Sequence, residues 1–165
     1  MIHTAALKFF VEGIPATKGS HHAFLNRKTG VPIIVPNHNA KMKAWASLVS
    51  SLASTYKEET KFPKLTDAID VTLMFFLPRP QSHFKKDRTV KPSAPRFIKT
   101  KPDIDKLARC VLDALTGILW VDDSQVISLE LYKYYEGHPF VTGEHNSILG
   151  KMEKTGVIIE VEEVI

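Results

Sequence analysis

The run from Ile69 to Leu77 (IDVTLMFFL) constrains the fold most, being β-rich and nearly continuously apolar. A strand with one face in water alternates apolar and polar residues, whereas an unbroken apolar run suits a strand buried at the centre of a sheet. The rest of the chain has to surround it. Ala6 to Val11 (ALKFFV) reads as a first strand, and Val157 to Ile165, with its glutamates, as a last strand with a solvated face or edge. His22 to Pro36 reads as a hairpin, two apolar arms around Asn-Arg-Lys-Thr-Gly. Asn37 or Asn39 is placed to cap a helix running to about Glu58, with Met42, Trp45, Ala46, Val49, Leu52 and Ala53 at helical spacing. Val126 to Tyr135 alternates Ile127, Leu129 and Leu131 with Ser128, Glu130 and Tyr132, the pattern of a half-buried strand. Residues 137–153 carry no assignable pattern.

Together with a second helix near residue 110, this order predicts a mixed α+β fold rather than a regular βαβ alternation. A chain of 165 residues suits one small domain, residues 1–165, built as a mixed sheet with two main helices packed on it. The single cysteine, Cys110, excludes an internal disulfide framework and a thiolate zinc cluster. The longest apolar run, Val71 to Leu77, is far below the roughly 20 residues of a membrane-spanning helix. The start, MIHTAALKFF, lacks the charged and apolar regions of a secretion signal, so a cytoplasmic protein without a membrane partner is expected. Neither GxGxxG nor GxxxxGK[ST] occurs, and no nucleotide cofactor is expected.

The net charge of +4 is mild, but its distribution is uneven. Between Arg79 and Lys101 lie Lys85, Lys86, Arg88, Lys91, Arg96 and Lys99, with Asp87 as the one acid. Pro78, Pro80, Pro92 and Pro95 break any helix there, which predicts an exposed, mobile basic loop over 79–101. Such a loop is either a solvated surface or an electrostatic arm for a polyanion such as DNA phosphate.

The segment after it is KPDIDKLARCVLDALTGILWVDDSQV, residues 101–126. Ile104, Leu107, Ala108, Val111, Leu112, Leu115 and Ile118 make the apolar stripe of a helix, with Cys110 off the stripe and Gly117 as a C-terminal breaker. Inside a helix, Asp103 and Asp105 would stand about 200° apart. Pro102 favours extended backbone before them and Asp105 is a good N-cap type, so the two are expected to converge at the helix mouth. Close carboxylates repel, and a divalent cation with oxygen ligands, such as Mg²⁺, offsets that. Asp122 and Asp123 form a second pair before a strand, and if that strand runs beside Ile69–Leu77 it would return a third carboxylate to the first pair. With Lys106 and Arg109 close by, this is the kit of a metal-dependent phosphodiester nuclease. Each part also has a bland reading: a D-x-D as a cap, a D-D as a turn, and the two cations as the solvated face of an amphipathic helix, with Asp113 pairing Arg109.

The same segment resembles the signature of the RusA family of Holliday-junction resolvases: a basic residue and Asp-x-Asp, a short amphipathic helix ending in an Asp-Ala-Leu-like stretch, then Asp-Asp-x-Gln-Val. Pro15-Ala16-Thr17-Lys18-Gly19 is a weaker echo of the Pro-x-x-Lys-Gly start of many members. The resemblance implies Asp103, Asp105 and Asp123 as metal ligands and Asp122 as a supporting acid, in a homodimer that uses Mg²⁺, with Mn²⁺ as a substitute. The family usually has Asn and Lys where this chain has Lys106 and Arg109, so the transition-state cation is one of these two. The implied partner is branched DNA, a four-way junction cut on opposed strands, in a bacterial or phage-encoded intracellular setting. Lys18, Lys85, Lys86, Arg88, Lys91, Arg96, Lys99 and Lys101 are expected to bind flanking phosphates, positioning the DNA without reading its sequence.

Other residues are expected to be structural. His3, His21, His22, His38, His83, His138 and His145 show no metal-ligand pair at helical spacing. Cys110 has no evident partner base; Trp120 and Phe97 are candidates for stacking on exposed bases, with packing at the helix exit the favoured reading for Trp120. Two competing classes are a non-catalytic branched-DNA-binding protein, which needs the basic loop but not the carboxylates, and a sugar-nucleotide transferase, which needs a nucleotide pocket.

Overall fold

The computed structural model describes residues 3–19, 22–25, 29, 32–35, 40–137, 139–141 and 148–164. The apolar run is strand β4 (Ala68–Leu77), and it lies inside a four-stranded sheet. Strand β8 (Gly156–Val164) pairs with it antiparallel on one side, and β5 (Val126–Tyr135) pairs with it parallel on the other. Strand β1 (His3–Glu12) pairs antiparallel with β8 and closes the far edge, giving the order β1-β8-β4-β5. The pleat explains the unbroken apolar run. Ile69, Val71, Leu73 and Phe75 enter the main core with Val11, Ile159 and Val161, while Met74 and Phe76 point the other way and pack with Tyr134 and Ile158.

Two helices cover the main-core face, as expected of this α+β fold. Helix α1 (Ala40–Thr60) buries Met42, Trp45, Val49 and Ala53, one stripe at helical spacing. Its expected cap, Asn37 or Asn39, lies outside the described residues. Helix α2 (Ile104–Leu115) packs against α1, which also satisfies carbonyls at the end of α2 that no helical N–H can reach. Ser50 Oγ donates to the Ala114 carbonyl at 2.8 Å and Lys57 Nζ to that of Ile118 at 2.9 Å.

The hairpin arms are strands β2 (His22–Leu25) and β3 (Pro32–Val35), paired antiparallel in their own two-stranded sheet. Most of the turn between them lies outside the described residues. The patternless stretch contains a second small hairpin, β6 (Pro139–Val141) with β7 (Ile148–Lys151). Strand β5 departs from expectation. Among the described residues it is a sheet edge with a neighbour on one side only, and its alternation buries less than it promises: Ile127 is 59% and Leu129 40% exposed.

The basic loop is exposed as expected, but it is folded rather than loose. Arg79 is its buried anchor: its Nη1 donates to the Pro95 carbonyl at 3.0 Å and its guanidinium lies 4.2 Å from the Tyr135 ring centre. A tight turn at the tip is closed by Lys85 N–H to the Thr89 carbonyl at 2.8 Å and by Asp87 Oδ1, which accepts the Thr89 N–H at 3.0 Å. Lys133 Nζ ties down the loop's end through the carbonyls of Thr100 (3.0 Å) and Pro102 (2.8 Å). Among the described residues no helix is long and apolar enough to cross a membrane.

Candidate active site

Helix α2 organises the site. Asp103, not Asp105, is its N-cap residue: the Asp103 carbonyl accepts the Leu107 N–H at 3.1 Å, but its carboxylate caps no backbone group. That carboxylate pairs with Lys106 Nζ at 2.8 Å. The hydrogen bond from Lys106, and then the ammonium charge, hold Asp103 below the usual carboxylate range, and the same bond raises Lys106. Asp105 stands exposed in the first turn, where the helix N-terminus favours a negative charge. Leu107, Ala108, Val111 and Leu115 are buried as predicted, and so is Cys110, which sits on the edge of the buried face. Burial, and then the Asp113 charge, push the Cys110 thiol up to about 11, far from a nucleophile's range.

The exposed side of α2 forms one wall of a cavity of about 610 Å³, lined by Asp105, Arg109, Asp113 and Asp123, with Leu129 and Leu131 of β5 on the other wall. Lys18 and Gly19 also line it. The Pro15–Gly19 stretch docks on α2, with the Lys18 N–H donating to the Lys106 carbonyl at 3.1 Å. Lys18 Nζ pairs with Asp113, in place of the expected Arg109. Lys18 therefore belongs to the acid-lined groove and not with the basic loop.

The two later aspartates have separate jobs. Asp122 caps the short 3-10 turn Asp123–Gln125, its Oδ1 accepting the Ser124 N–H at 2.9 Å, and these bonds from Ser124 lower its pKa. Gln125 clamps the same turn: its Oε1 accepts the N–H groups of Val121 and Asp122 at 2.8 and 2.9 Å, and its Nε2 donates to the Asp67 carbonyl at 2.9 Å. Asp123 faces the groove, with Oδ1 accepting Trp120 Nε1 at 3.0 Å and the Thr116 hydroxyl. Trp120 is fully buried, so it stacks on no base.

The expected three-aspartate cluster does not form within the chain. Thr116 pins Asp123 to the C-terminal end of α2, whereas Asp105 is in its first turn. That separation is a rise of about 16 Å at 1.5 Å per residue. Oxygens sharing one Mg²⁺ lie no more than about 4 Å apart, since each bond is roughly 2.1 Å. Among the described residues no three His, Cys, Asp or Glu side chains are grouped closely enough for a metal. The physical reason is the strand pairing. The β5 strand does run beside β4, but parallel, so Asp123 arrives at the beginning of β4 while Asp103 follows from its end. Asp103 is not among the residues lining the groove.

Lys85, Lys86, Arg88, Lys91, Arg96, Lys99 and Lys101 are all exposed along the loop that feeds α2. Phe97 is 62% exposed, with the Arg96 guanidinium 5.3 Å from its ring centre. His83 packs edge-on against Tyr135 at 5.6 Å, outside the groove, and His21, His38, His138 and His145 lie outside the described residues. Sequence reasoning missed Thr116, Trp120 and Gln125 as partners of the acidic turn. The available signal was their spacing, a hydroxyl at the helix end and an indole three residues before Asp123.

Carboxylates and cations share one groove on α2, and an exposed basic loop precedes that helix in the chain. Residues 16–142 match the family model described as Endodeoxyribonuclease RusA. The chain belongs to that family, and is an endodeoxyribonuclease. It is also 29% identical over 137 residues to the "Uncharacterized protein YqaN" of Bacillus subtilis (strain 168), an overlap of 82% of this chain and 92% of that protein.

Proposed function

We propose that the protein, as one domain over residues 1–165, is a Mg²⁺-dependent, structure-selective endonuclease that resolves four-way DNA junctions by hydrolysing phosphodiester bonds in opposed strands. The observation that carries this is the α2 groove, with acids at both of its ends and Arg109 and Lys18 on its wall, in a RusA family member. The substrate would be met inside a bacterial or phage-infected cell.

Among the described residues the donor set suits a hard cation: the groove carries carboxylates, no thiolate or imidazole lines it, and one Asp123 oxygen takes no protein donor. Asp103, Asp105 and Asp123 would hold Mg²⁺, with Mn²⁺ as a substitute. When bound, the ion supplies an acidified water nucleophile and neutralises charge on the scissile phosphate. The chain's own groups do the rest. Lys106 orients the Asp103 carboxylate through their 2.8 Å bond and lowers its pKa. Arg109, which lines the groove, is better placed than Lys106 to stabilise the extra negative charge of the transition state, and Lys18 shares that work. Lys85, Lys86, Arg88, Lys91, Arg96, Lys99 and Lys101 bind flanking phosphates.

Two features support a homodimer. The acids are split along α2, so an ion held at the Asp105 end of one copy would gain Asp123 from a second copy. The β5 edge, with Ile127 and Leu129 exposed, is the kind of surface that a second chain covers. A two-fold pair also presents two equivalent sites to a two-fold substrate.

The test is cleavage of a synthetic four-way junction beside a linear duplex, in Mg²⁺ and in EDTA, with Asp103→Asn in parallel. Paired symmetric nicks that need Mg²⁺ and disappear in the variant are expected. Tight junction binding without cleavage, unchanged by Asp103→Asn, would leave a DNA-binding module whose aspartates serve as caps.

A further inference from the structure

We infer that Thr116 and Trp120 are positioning residues for Asp123, holding one carboxylate oxygen so that the other is presented to a divalent cation in a single orientation; this rests on the nuclease reading above. Both donors converge on Oδ1 of Asp123: the Trp120 indole N–H at 3.0 Å and the Thr116 hydroxyl. The hydroxyl has one proton and two acceptors within reach, Asp123 and the Leu112 carbonyl at 3.0 Å. That carbonyl already accepts the Thr116 backbone N–H at 2.9 Å, and a charged acceptor is the stronger one, so the proton goes to Asp123. The indole ring is fully buried, and losing Asp123 would strand its N–H. No protein donor reaches Oδ2 of Asp123 among the described residues, although the side chain lines the groove.

The donors are themselves held. Gly117, at φ +82°, makes the turn that brings Thr116 and Trp120 side by side, and its N–H donates to the Trp120 carbonyl at 2.8 Å. Leu65 N–H closes on the Leu119 carbonyl at 2.8 Å, and Lys57 of α1 on that of Ile118 at 2.9 Å. Gln125 fixes the turn that carries Asp123 from the other side. A carboxylate on a short exposed turn would otherwise sample several rotamers; two fixed donors on one oxygen leave one. Hydrogen-bond partners of metal ligands commonly change metal affinity or activity by about 10–100-fold. Bonding to Trp120 also makes the site self-reporting, since an ion on Asp123 perturbs an indole one hydrogen bond away.

The test uses the full chain with Trp45→Phe, so that Trp120 is the remaining one of two tryptophans. Mn²⁺ is the probe. Titration should change Trp120 emission saturably, and Asp123→Asn should abolish the response. Thr116→Val, nearly isosteric but without the hydroxyl, should raise the apparent Mn²⁺ dissociation constant and lower kcat on a four-way junction, each about tenfold. KM for the junction should stay unchanged, and Thr116→Ser should restore both quantities. Parental Mn²⁺ affinity and kcat in Thr116→Val, alongside an inactive Asp123→Asn, would overturn the positioning role and leave the nuclease reading standing. Failure of Thr116→Ser to rescue would also overturn it, by showing that shape and not the hydroxyl matters. An Asp123→Asn variant that still responds to Mn²⁺ and still cleaves would overturn both.

Discussion

Cys110 shows how little of a residue's chemistry can be read without its neighbours. Helical spacing puts it off the apolar stripe, yet it is 2% exposed, because the buried face of α2 meets both the sheet and α1 and is wider than one stripe. Its thiol, pushed up to about 11, stays protonated in the native state well past the ordinary thiol range. The sign of the linkage follows: the contribution to stability is complete below the unfolded thiol pKa and is lost as pH rises through that value towards about 11. Native protein at pH 8 should label with a thiol reagent only as fast as it unfolds, and the urea midpoint should fall more between pH 8 and 10.5 than in Cys110→Ala. Rapid labelling at pH 8 without denaturant would contradict this. Among the acids, type and spacing marked Asp103, Asp105 and the Asp122–Asp123 pair as candidates, and the family resemblance implied Asp123 of that pair. They did not reveal that Asp122 is a turn cap, or that Thr116 and Trp120 hold Asp123. Those bonds depend on a turn geometry set by Gly117 and by contacts from α1, which local pattern does not encode.

Elements fared according to how local their signals are. Strand β4, helix α2 and the β2–β3 hairpin were legible because apolar run length, helical periodicity and a turn between two arms are local properties. The exposure of β5 was not, since alternation describes which residues share a face and not whether anything covers it. The basic loop was legible in charge but not in order, because Arg79 anchors it through Tyr135, far along the chain. An exposed, pre-folded loop should act as a set of phosphate contacts. The triple variant Lys85→Ala, Lys86→Ala, Arg88→Ala should weaken junction binding in EDTA equally for all sequences. It should also flatten the slope of log affinity against log salt by about 0.9 per lost contact. An unchanged slope would remove these residues from the interface.

For the molecule as a unit, the decisive feature is the distance between its acids. A parallel β4–β5 pair places Asp123 and the Asp103–Asp105 end at opposite ends of α2, about 16 Å of helix rise apart. On the proposed reading, one chain would hold two incomplete halves of a metal site, and a symmetric pair would hold two complete ones. The direct measurement is junction nicking by a mixture of two inactive variants, Asp105→Asn and Asp123→Asn, co-refolded so that subunits exchange. If sites are assembled across copies, half of those in a mixed pair carry both native aspartates, and the mixture should recover Mg²⁺-dependent nicking of one strand. A mixture as inactive as each variant alone, with subunit exchange demonstrated, would contradict the account.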